Sequence, residues 1–238
     1  MSKFTFKSSD SVGHIAANFP KSMDIFKEYN IDFCCGGDTP LIEEIKEHNL
    51  NEEEIMSKLE EAYNKAVSMG IEEVDFNNLS YSDLIDHIVN VHHAYLQREL
   101  PKIGELTAKI LRVHGGGHSE LAEVHRLFSS LRMELEQHTI KEETSEFPMI
   151  KEYEKTHSKE LLDKIVKSIK GLEEEHEGAG DILKALRRVT KGFKVPEDGC
   201  NTYRLTYDKL KELESETFVH IHLENNILFP RVVKENNN

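Results

Sequence analysis

Two segments of the chain repeat the same combination of metal-ligating residue types. One runs from His138 to Pro148 and reads HTIKEETSEFP, and the other runs from His220 to Pro230 and reads HIHLENNILFP. Both follow the pattern H-x3-E-x4-F-P. Because residues four apart lie on one face of an α-helix, each segment directs an imidazole and a carboxylate to the same side. Two such helices facing each other would provide nitrogen and oxygen donors that suit iron, and that suit zinc or manganese less distinctively.

Two further candidate ligands are histidines on the apolar stripes of other predicted helices. His176 lies alone on a stripe that runs from Leu162 to Leu186. Such a histidine by itself is more often a core residue than a ligand, but beside two H-x3-E helices the ligand interpretation is favoured. In the first long helix, the stripe through His93 stays apolar for longer than the stripe through His92. The pattern favours His93 and leaves His92 as a competitor.

The candidate ligand set contains four histidines and two glutamates, namely His93, His138, Glu142, His176, His220 and Glu224. Six ligands are too many for one tetrahedral zinc, which takes four. They suit two ions, each with two histidines, bridged by the two glutamates. Within the predicted long helices, the Glu-x-x-His spacing of ferritin-like proteins occurs once, at Glu173 and His176. The His-Glu-x-x-His spacing of zinc proteases does not occur.

The elements that must position these ligands are four long amphipathic helices. Their predicted ranges are 80–113, 119–147, 158–190 and 201–228. The first helix contains Pro101, which is expected to kink it. The second is expected to break at Phe147-Pro148, and its resumption beyond that point is left open. Four such helices with short connections predict an all-α, up-down-up-down four-helix bundle, a fold that builds metal sites in its core.

A small helical domain is predicted before the bundle. Residues 1–68 form this domain, residues 69–79 form a linker, and residues 80–238 form the bundle domain. Cys34 and Cys35 lie in the small domain and precede two glycines. We interpret them as a reactive thiol pair near a helix start, where the helix dipole would lower the thiol pKa. Two incidental buried cysteines are the alternative.

Three residues outside this set have weaker functional patterns. Cys200 is at a loop-to-helix junction and is interpreted as structural, and His114 is interpreted as a core or loop-capping residue. Glu175 precedes His176 and is either an acid outside the ligand set or a solvated glutamate.

Composition argues against several classes of partner and location. The net charge of the 238 residues is −14, which disfavours binding to the phosphates of nucleic acids. No apolar run approaches the length of a membrane span, and the first residues lack the apolar core of a signal peptide. The three cysteines indicate reduced thiols rather than disulfides. These features predict a cytoplasmic protein that binds neither nucleic acid nor membrane.

The motifs taken together resemble one known family. They are Asp32-Phe-Cys-Cys-Gly-Gly37, His93 followed by Leu100-Pro101, Val113-His-Gly115, His138-x3-Glu142 with Phe147-Pro148, Glu175-His176, and His220-x3-Glu224-Asn-Asn226 with Phe229-Pro230. Over nearly its whole length the chain resembles the RIC family (repair of iron centres), whose larger domain is hemerythrin-like. The resemblance implies that the four histidines bind two iron ions and that Glu142 and Glu224 bridge them. It also selects His93 over His92.

The same resemblance implies a function. Members of that family repair iron–sulfur clusters damaged by nitrosative or oxidative stress, which we expect here to occur by supplying iron. The expected partners are damaged iron–sulfur cluster proteins and small ligands such as oxygen or nitric oxide. A hemerythrin-like sensor of oxygen or nitric oxide, an iron store, and a di-iron reductase of nitric oxide or peroxide stay open as alternatives. Whether the protein is an enzyme is open, with a non-enzymatic role favoured, and so is the formation of a homodimer.

Overall fold

The structure, a computed structural model, describes residues 4–70 and 74–236. Within these residues the regular elements are helices, and the extended pairing is limited to a single bridge between Ser11 and Pro40. The all-α prediction is confirmed. Residues 71–73 of the predicted linker lie outside the described residues. In the described part of the chain, no helix is both long and apolar enough to cross a membrane.

Eleven α-helices occur in the described residues. They are α1 (Val12–Asn18), α2 (Ser22–Tyr29), α3 (Leu41–Glu47), α4 (Glu52–Ser68), α5 (Tyr81–His87), α6 (Ala94–His114), α7 (Glu120–Lys141), α8 (Phe147–Thr156), α9 (Lys159–Val189), α10 (Asn201–Leu223) and α11 (Phe229–Asn236). A short 3-10 helix spans Phe76–Asn78. Three π-helical segments, Ile88–His93, Glu142–Glu146 and Glu224–Leu228, join α5 to α6, α7 to α8, and α10 to α11.

Local sequence fixes where the long helices begin. The side chain of Ser158 accepts a hydrogen bond from the backbone N–H of Leu161 and caps α9. Asn51 caps α4 in the same way. Both caps satisfy N–H groups that have no partner within the helix. Arg187 and Arg188 lie in the last turn of α9, where positive charge is favoured by the helix dipole.

The π-helical segments explain the Phe-Pro pairs of the repeated motif. The N–H of Phe147 donates to the carbonyl of Glu142, and the N–H of Phe229 donates to the carbonyl of Glu224, each five residues earlier. This wider turn lets each proline follow in the first turn of the next α-helix, where its missing N–H costs little. At Phe147-Pro148 the helix therefore widens into a π-helical turn instead of breaking, and it continues beyond, which the sequence prediction had left open.

The first helix of the bundle also contains an irregular turn. Its π-helical segment ends at His93, and the N–H of Ala94 donates to the carbonyl of Val89. Helix α6 continues through Pro101.

The chain divides into two compact units. One comprises Met1–Ser80 together with Phe218–Asn238, and the other comprises Tyr81–Thr217. Helix α10 therefore contributes residues to both units. The sequence prediction assigned every residue after 80 to the bundle, whereas residues 218–238 group with the N-terminal residues because Phe218 packs against their apolar core.

The first unit has a core built from its short helices. Ile15, Phe26 and Leu59 are fully buried there, and Phe218 and Val219 pack against them. Aromatic rings extend this packing, since Phe33 contacts Phe218 with ring centroids 6.3 Å apart. The C-terminal end of α10 is thus anchored by apolar contacts within this unit.

The second unit contains the helical bundle. Helix α7 packs against α6 and α9, and α8 packs against α5 and α9. Residues 201–217 of α10 join them through ion pairs of Glu214 with Arg187 of α9 and of Lys209 with Glu99 of α6. Each helix turns an apolar stripe inward, as Leu131 of α7 and Leu183 of α9 show by being fully buried. The prediction of a four-helix bundle is confirmed.

Candidate metal centre

A buried carboxylate faces two imidazoles in the second unit. Oε2 of Glu142 lies 3.3 Å from Nε2 of His93, and its Oε1 lies 3.3 Å from Nε2 of His138. Nε2 of His176 lies 2.8 Å from Nε2 of His138. All four side chains are buried, and Glu142 and His93 are fully so. The structure therefore brings together four of the six predicted ligands.

The other two predicted ligands are paired in the first unit. Nε2 of His220 lies 3.1 Å from Oε1 of Glu224, and both side chains are buried. His220 is in the last turn of α10, and Glu224 begins the following π-helical segment. His138 and Glu142 have the same places at the end of α7 and the start of its π-helical segment. The two copies of the motif therefore have the same local structure.

Carboxylates outside the predicted ligand set orient two of the imidazoles. Nδ1 of His138 lies 2.7 Å from Glu175, whose other oxygen is 2.6 Å from Nζ of Lys141. Nδ1 of His93 lies 2.8 Å from Glu143. A hydrogen bond at Nδ1 fixes the orientation of an imidazole and leaves Nε2 available to a metal. Although burial opposes it, contact with Lys141 and His138 holds the pKa of Glu175 below its usual value.

These contacts revise the sequence interpretation of the acidic residues. The sequence left open whether Glu175 acts beside the ligands or is a solvated glutamate. In the structure its carboxylate contacts Nδ1 of His138. Glu143 was not singled out, yet it contacts His93. Its position directly after a predicted ligand is the signal that sequence reasoning missed.

The structure distinguishes His93 from its neighbour His92. His92 is also buried, but its Nδ1 lies 3.5 Å from Glu216 of α10, and its ring packs against His87. His93 is the one of the two that contacts Glu142.

The donor atoms of this cluster fit a metal ion. Those of His138, Glu142 and His176 all lie within 4.8 Å of one another. Transfer of a carboxylate into a protein interior is costly unless positive charge or hydrogen bonds compensate for it. A cation held by Glu142 and the imidazole nitrogens would provide such compensation. Imidazole and carboxylate donors bind iron, zinc and manganese.

A pocket gives access to one side of the cluster. Its volume is about 410 Å³, and it opens beside His138 and His176, between α7 and α9. Glu134 lies in the same pocket, and burial raises the pKa of its carboxyl group. The space is large enough for small ligands.

The predicted thiol pair lies in a tight turn in the first unit. Oδ1 of Asp32 accepts hydrogen bonds from the backbone N–H groups of Cys34, Cys35 and Gly36, at 3.1, 3.0 and 3.2 Å. The donor atoms of Asp32, Cys34 and Cys35 lie within 4.8 Å of one another. The cysteines are therefore adjacent in space, as the sequence suggested.

The predicted lowering of the thiol pKa is wrong for Cys34. The next helix, α3, begins only at Leu41, so Cys34 is not at a helix start. Burial, together with the neighbouring Cys35 and Asp32, raises the pKa of Cys34 well above its ordinary value. Cys34 therefore stays protonated at neutral pH, because a buried thiolate would lose its hydration.

Two residues beside Glu224 hold the cysteine turn. Nδ2 of Asn226 donates to the carbonyls of Phe33 and Cys34, at 3.2 and 3.0 Å. Nδ1 of His222 lies 3.2 Å from the same Phe33 carbonyl. Gly37 is required here because a Cβ at this position would lie 1.9 Å from Oδ1 of Asn226. In the sequence, the two glycines after the cysteines indicated a close approach of the main chain. That Asn226 is the residue approaching Gly37 was not predicted.

Two family models match the chain, and they divide it near the predicted linker. Residues 84–232 match the model described as "Hemerythrin HHE cation binding domain", and residues 8–63 match a model described as "Domain of Unknown function (DUF542)". The chain is also similar to the iron-sulfur cluster repair protein ScdA of Staphylococcus epidermidis. The two are 30% identical over 224 residues, which cover 94% of this chain and 97% of that protein.

This chain belongs to the family of iron-sulfur cluster repair proteins with a hemerythrin-like domain. Other family members are similar over comparable lengths. The probable iron-sulfur cluster repair protein of Haemophilus influenzae is 32% identical, with 94% of this chain and 96% of that protein covered. The iron-sulfur cluster repair protein YtfE of Salmonella typhimurium is 29% identical, with 93% and 96% covered. The hemerythrin-like match includes all six predicted ligands, and the shorter match includes Cys34 and Cys35.

Proposed function

We propose that this protein repairs damaged iron–sulfur clusters and does so by supplying iron. The observation that supports this most strongly is the buried group of His93, His138, Glu142 and His176, whose donor types suit iron. The relatives that align with nearly the whole chain bear the name of iron-sulfur cluster repair proteins. Damage by nitrosative or oxidative stress is the proposed trigger, and the cytoplasm is the proposed location.

Two iron ions are the proposed resident metals, held by both copies of the motif. His93, His138 and His176 would bind with Glu142, and His220 would bind with Glu224. We assign the bridging role to the two glutamates because each occupies the same position in its copy, at the start of a π-helical segment. Iron held by four imidazoles and two carboxylates would provide metal that a damaged cluster lacks.

Charged residues around these proposed ligands fix the orientation of two of the imidazoles. Glu175 and Glu143 hold the Nδ1 atoms of His138 and His93, so that each Nε2 faces Glu142. Lys141 fixes Glu175 from the other side and balances its charge. Because the imidazoles are oriented before metal arrives, binding requires little rearrangement.

The cysteine turn is the proposed transfer site for iron or nitric oxide. Asp32, Cys34 and Cys35 offer a carboxylate and two sulfurs within 4.8 Å of one another. Binding of iron there would require loss of the thiol protons, and burial opposes that loss at Cys34. We therefore infer that this turn binds iron transiently rather than storing it.

A reductase of a small molecule is the second candidate. The pocket of about 410 Å³ beside His138 and His176 would admit nitric oxide or a peroxide. Turnover of either substrate by the iron-loaded protein distinguishes this role from iron supply. Sensing of oxygen or nitric oxide would require binding without turnover.

The test is anaerobic reactivation of a cluster enzyme that has been inactivated by nitric oxide. Wild type is compared with E142L/E224L and with C34S/C35S, all as full chains because residues 218–238 belong to the same compact unit as residues 1–80. We expect iron-loaded wild type to restore activity, E142L/E224L to restore none, and C34S/C35S to act more slowly with unchanged iron content. Equal reactivation by wild type and E142L/E224L would contradict the proposal.

A further inference from the structure

A second reactive group lies in the bundle, away from the proposed metal ligands. Nε2 of His114, the last residue of α6, is 3.2 Å from Sγ of Cys200, which directly precedes α10. Along the helix, His114 is roughly 30 Å from His93. Cys200 is exposed, unlike the buried Cys34. The two residues therefore form a solvent-accessible thiol–imidazole pair.

The start of α10 also favours a thiolate at this position. The carbonyl of Cys200 accepts a hydrogen bond from the N–H of Arg204, so Cys200 occupies the capping position. The backbone N–H of Tyr203, then His114, and then the backbone N–H of Thr202 lower the pKa of Cys200 to about 7. Cys200 is thus about half ionised at neutral pH, whereas an ordinary thiol is a few per cent ionised.

The remaining charged groups of this cluster are paired with one another. His118 lies one turn beyond His114, and its Nε2 is 3.1 Å from Asp198 while its Nδ1 is 3.3 Å from Glu120. The hydrogen bond with Asp198 raises the pKa of His118 and so favours its positively charged form between the two carboxylates. The buried ring of Tyr203 packs against both imidazoles, at 5.4 and 5.7 Å between centroids. His114 is therefore the imidazole that forms a hydrogen bond with Sγ of Cys200.

We propose that Cys200, as a thiolate hydrogen-bonded to His114, is a nucleophile that reacts with small disulfides, which makes Cys200 a site of reversible S-thiolation. The Cys200 thiolate attacks one sulfur of the disulfide and forms a new S–S bond. The old S–S bond breaks, and its other sulfur leaves with the electron pair as a thiolate. Cys200 is oxidised and the leaving sulfur is reduced. The leaving thiolate takes up a proton from water.

The surrounding charge predicts which disulfides react fastest. Two carboxylates, Asp198 and Glu120, face the single imidazole of His118 beside this pair, so the local charge is more negative than positive. The chain as a whole carries a net charge of −14. A cationic disulfide such as cystamine should therefore react faster than the anionic oxidised glutathione, and added salt should reduce the difference.

The test measures the rate of mixed-disulfide formation at Cys200 in the full chain, by peptide mass spectrometry, as a function of pH. Thiol–disulfide exchange is fastest for thiols whose pKa is near the ambient pH. Relative to an ordinary thiol, Cys200 should react about threefold faster at pH 7 and about sixfold faster at pH 6, because its larger thiolate fraction outweighs its lower intrinsic nucleophilicity. The midpoint of the wild-type pH profile should lie near 7.

Two variants separate the contribution of His114 from a structural effect. H114Q should raise the pH midpoint and slow the reaction at pH 6 by about twofold to threefold, while H118Q should change the midpoint much less. A wild-type midpoint above 8, or an equal effect of the two variants, would overturn the proposal. Absence of a mixed disulfide at Cys200 after incubation with cystamine at pH 7 would also overturn it.

Discussion

The two copies of the H-x3-E-x4-F-P motif share their local structure and differ in what lies around them. In the copy that contains Glu142, the positions two residues before and two residues after the glutamate are Ile140 and Thr144, and both are exposed. In the copy that contains Glu224, the same positions are His222 and Asn226, and both contact the carbonyl of Phe33. One copy faces solvent on its outer side, and the other holds the cysteine turn.

This difference indicates how a duplicated ligand motif can serve two purposes. The inward face is kept in both copies, because each glutamate begins a π-helical segment one turn after its histidine. The outward face is free to change. In the first unit it holds the main chain at Cys34, so that one short helix segment carries both a proposed iron ligand and the anchor of the proposed transfer site.

The largest expected effect on iron content comes from replacing the inward-facing glutamate of both motif copies. E142L/E224L should reduce iron from two ions per chain to almost none, because both proposed bridges are lost and leucine cannot bind a metal. Metal analysis of anaerobically purified protein provides the measurement. Retention of two iron ions by the double variant would show that the glutamates do not hold the metal.

A smaller loss is expected when one imidazole is removed. H93A should lose about half of the iron, because His93 contacts Glu142, and this estimate assumes that each ion takes two histidines. H92A is the matched control, since His92 contacts Glu216 instead, and it should retain its iron. A larger loss of iron in H92A than in H93A would show that His92 is the ligand.

A weaker effect is expected from the carboxylate that orients His138. E175Q should lower iron affinity by about 10-fold to 100-fold, because the charged acceptor at Nδ1 is lost. E174Q is the control, since Glu174 is exposed and lies 3.7 Å from Lys170. Competition with a chelator of known affinity gives both values. Equal affinities for the two variants would mean that Glu175 has no part in metal binding.

The smallest effect is expected from the outward face, and it tests the comparison between the copies directly. N226A should lower the free energy of unfolding by about 2 kcal/mol, because two hydrogen bonds to the cysteine turn are lost. T144A changes the equivalent position of the other copy and should alter stability by less than about 0.5 kcal/mol. Denaturant unfolding measures the change in free energy for N226A and for T144A. Equal losses would show that the outward faces of the two motif copies contribute equally to stability.

Gly37 provides a second test of the same contact. The three atoms nearest to a Cβ at position 37 all belong to Asn226. G37A should therefore be destabilising in the wild type and almost neutral in the N226A background. Additive effects in this double-mutant cycle would show that Gly37 and Asn226 do not contact each other.

The sequence was sufficient to predict much of the bundle and of the inward face. The predicted helix start at Ser158 and helix end at about Val113 lie within one residue of the observed bounds of α9 and α6, because capping residues and glycines act locally. Apolar periodicity favoured His93 and left His92 as a competitor, and both side chains are in fact buried. Recurrence of His and Glu at the same spacing identified both motif copies.

Features that depend on distant contacts could not be predicted in this way. The π-helical segments depend on which carbonyl each N–H reaches, and a break was therefore predicted at Phe147-Pro148, with resumption of the helix left open. The pKa of Cys34 depends on the burial of its thiol in the folded chain, so local sequence suggested the wrong direction. The contact of Asn226 with Phe33 joins residues 193 positions apart, and no local pattern records it.

The central claim is that both motif copies together hold two iron ions. The most direct measurement is the iron content of the full-length wild-type protein, purified without oxygen and examined by metal analysis together with its Mössbauer spectrum. The account predicts two iron ions per chain and a spectrum of an iron pair that loses its coupling when either Glu142 or Glu224 is replaced. A single iron ion per chain, or zinc in its place after growth with ample iron, would contradict it.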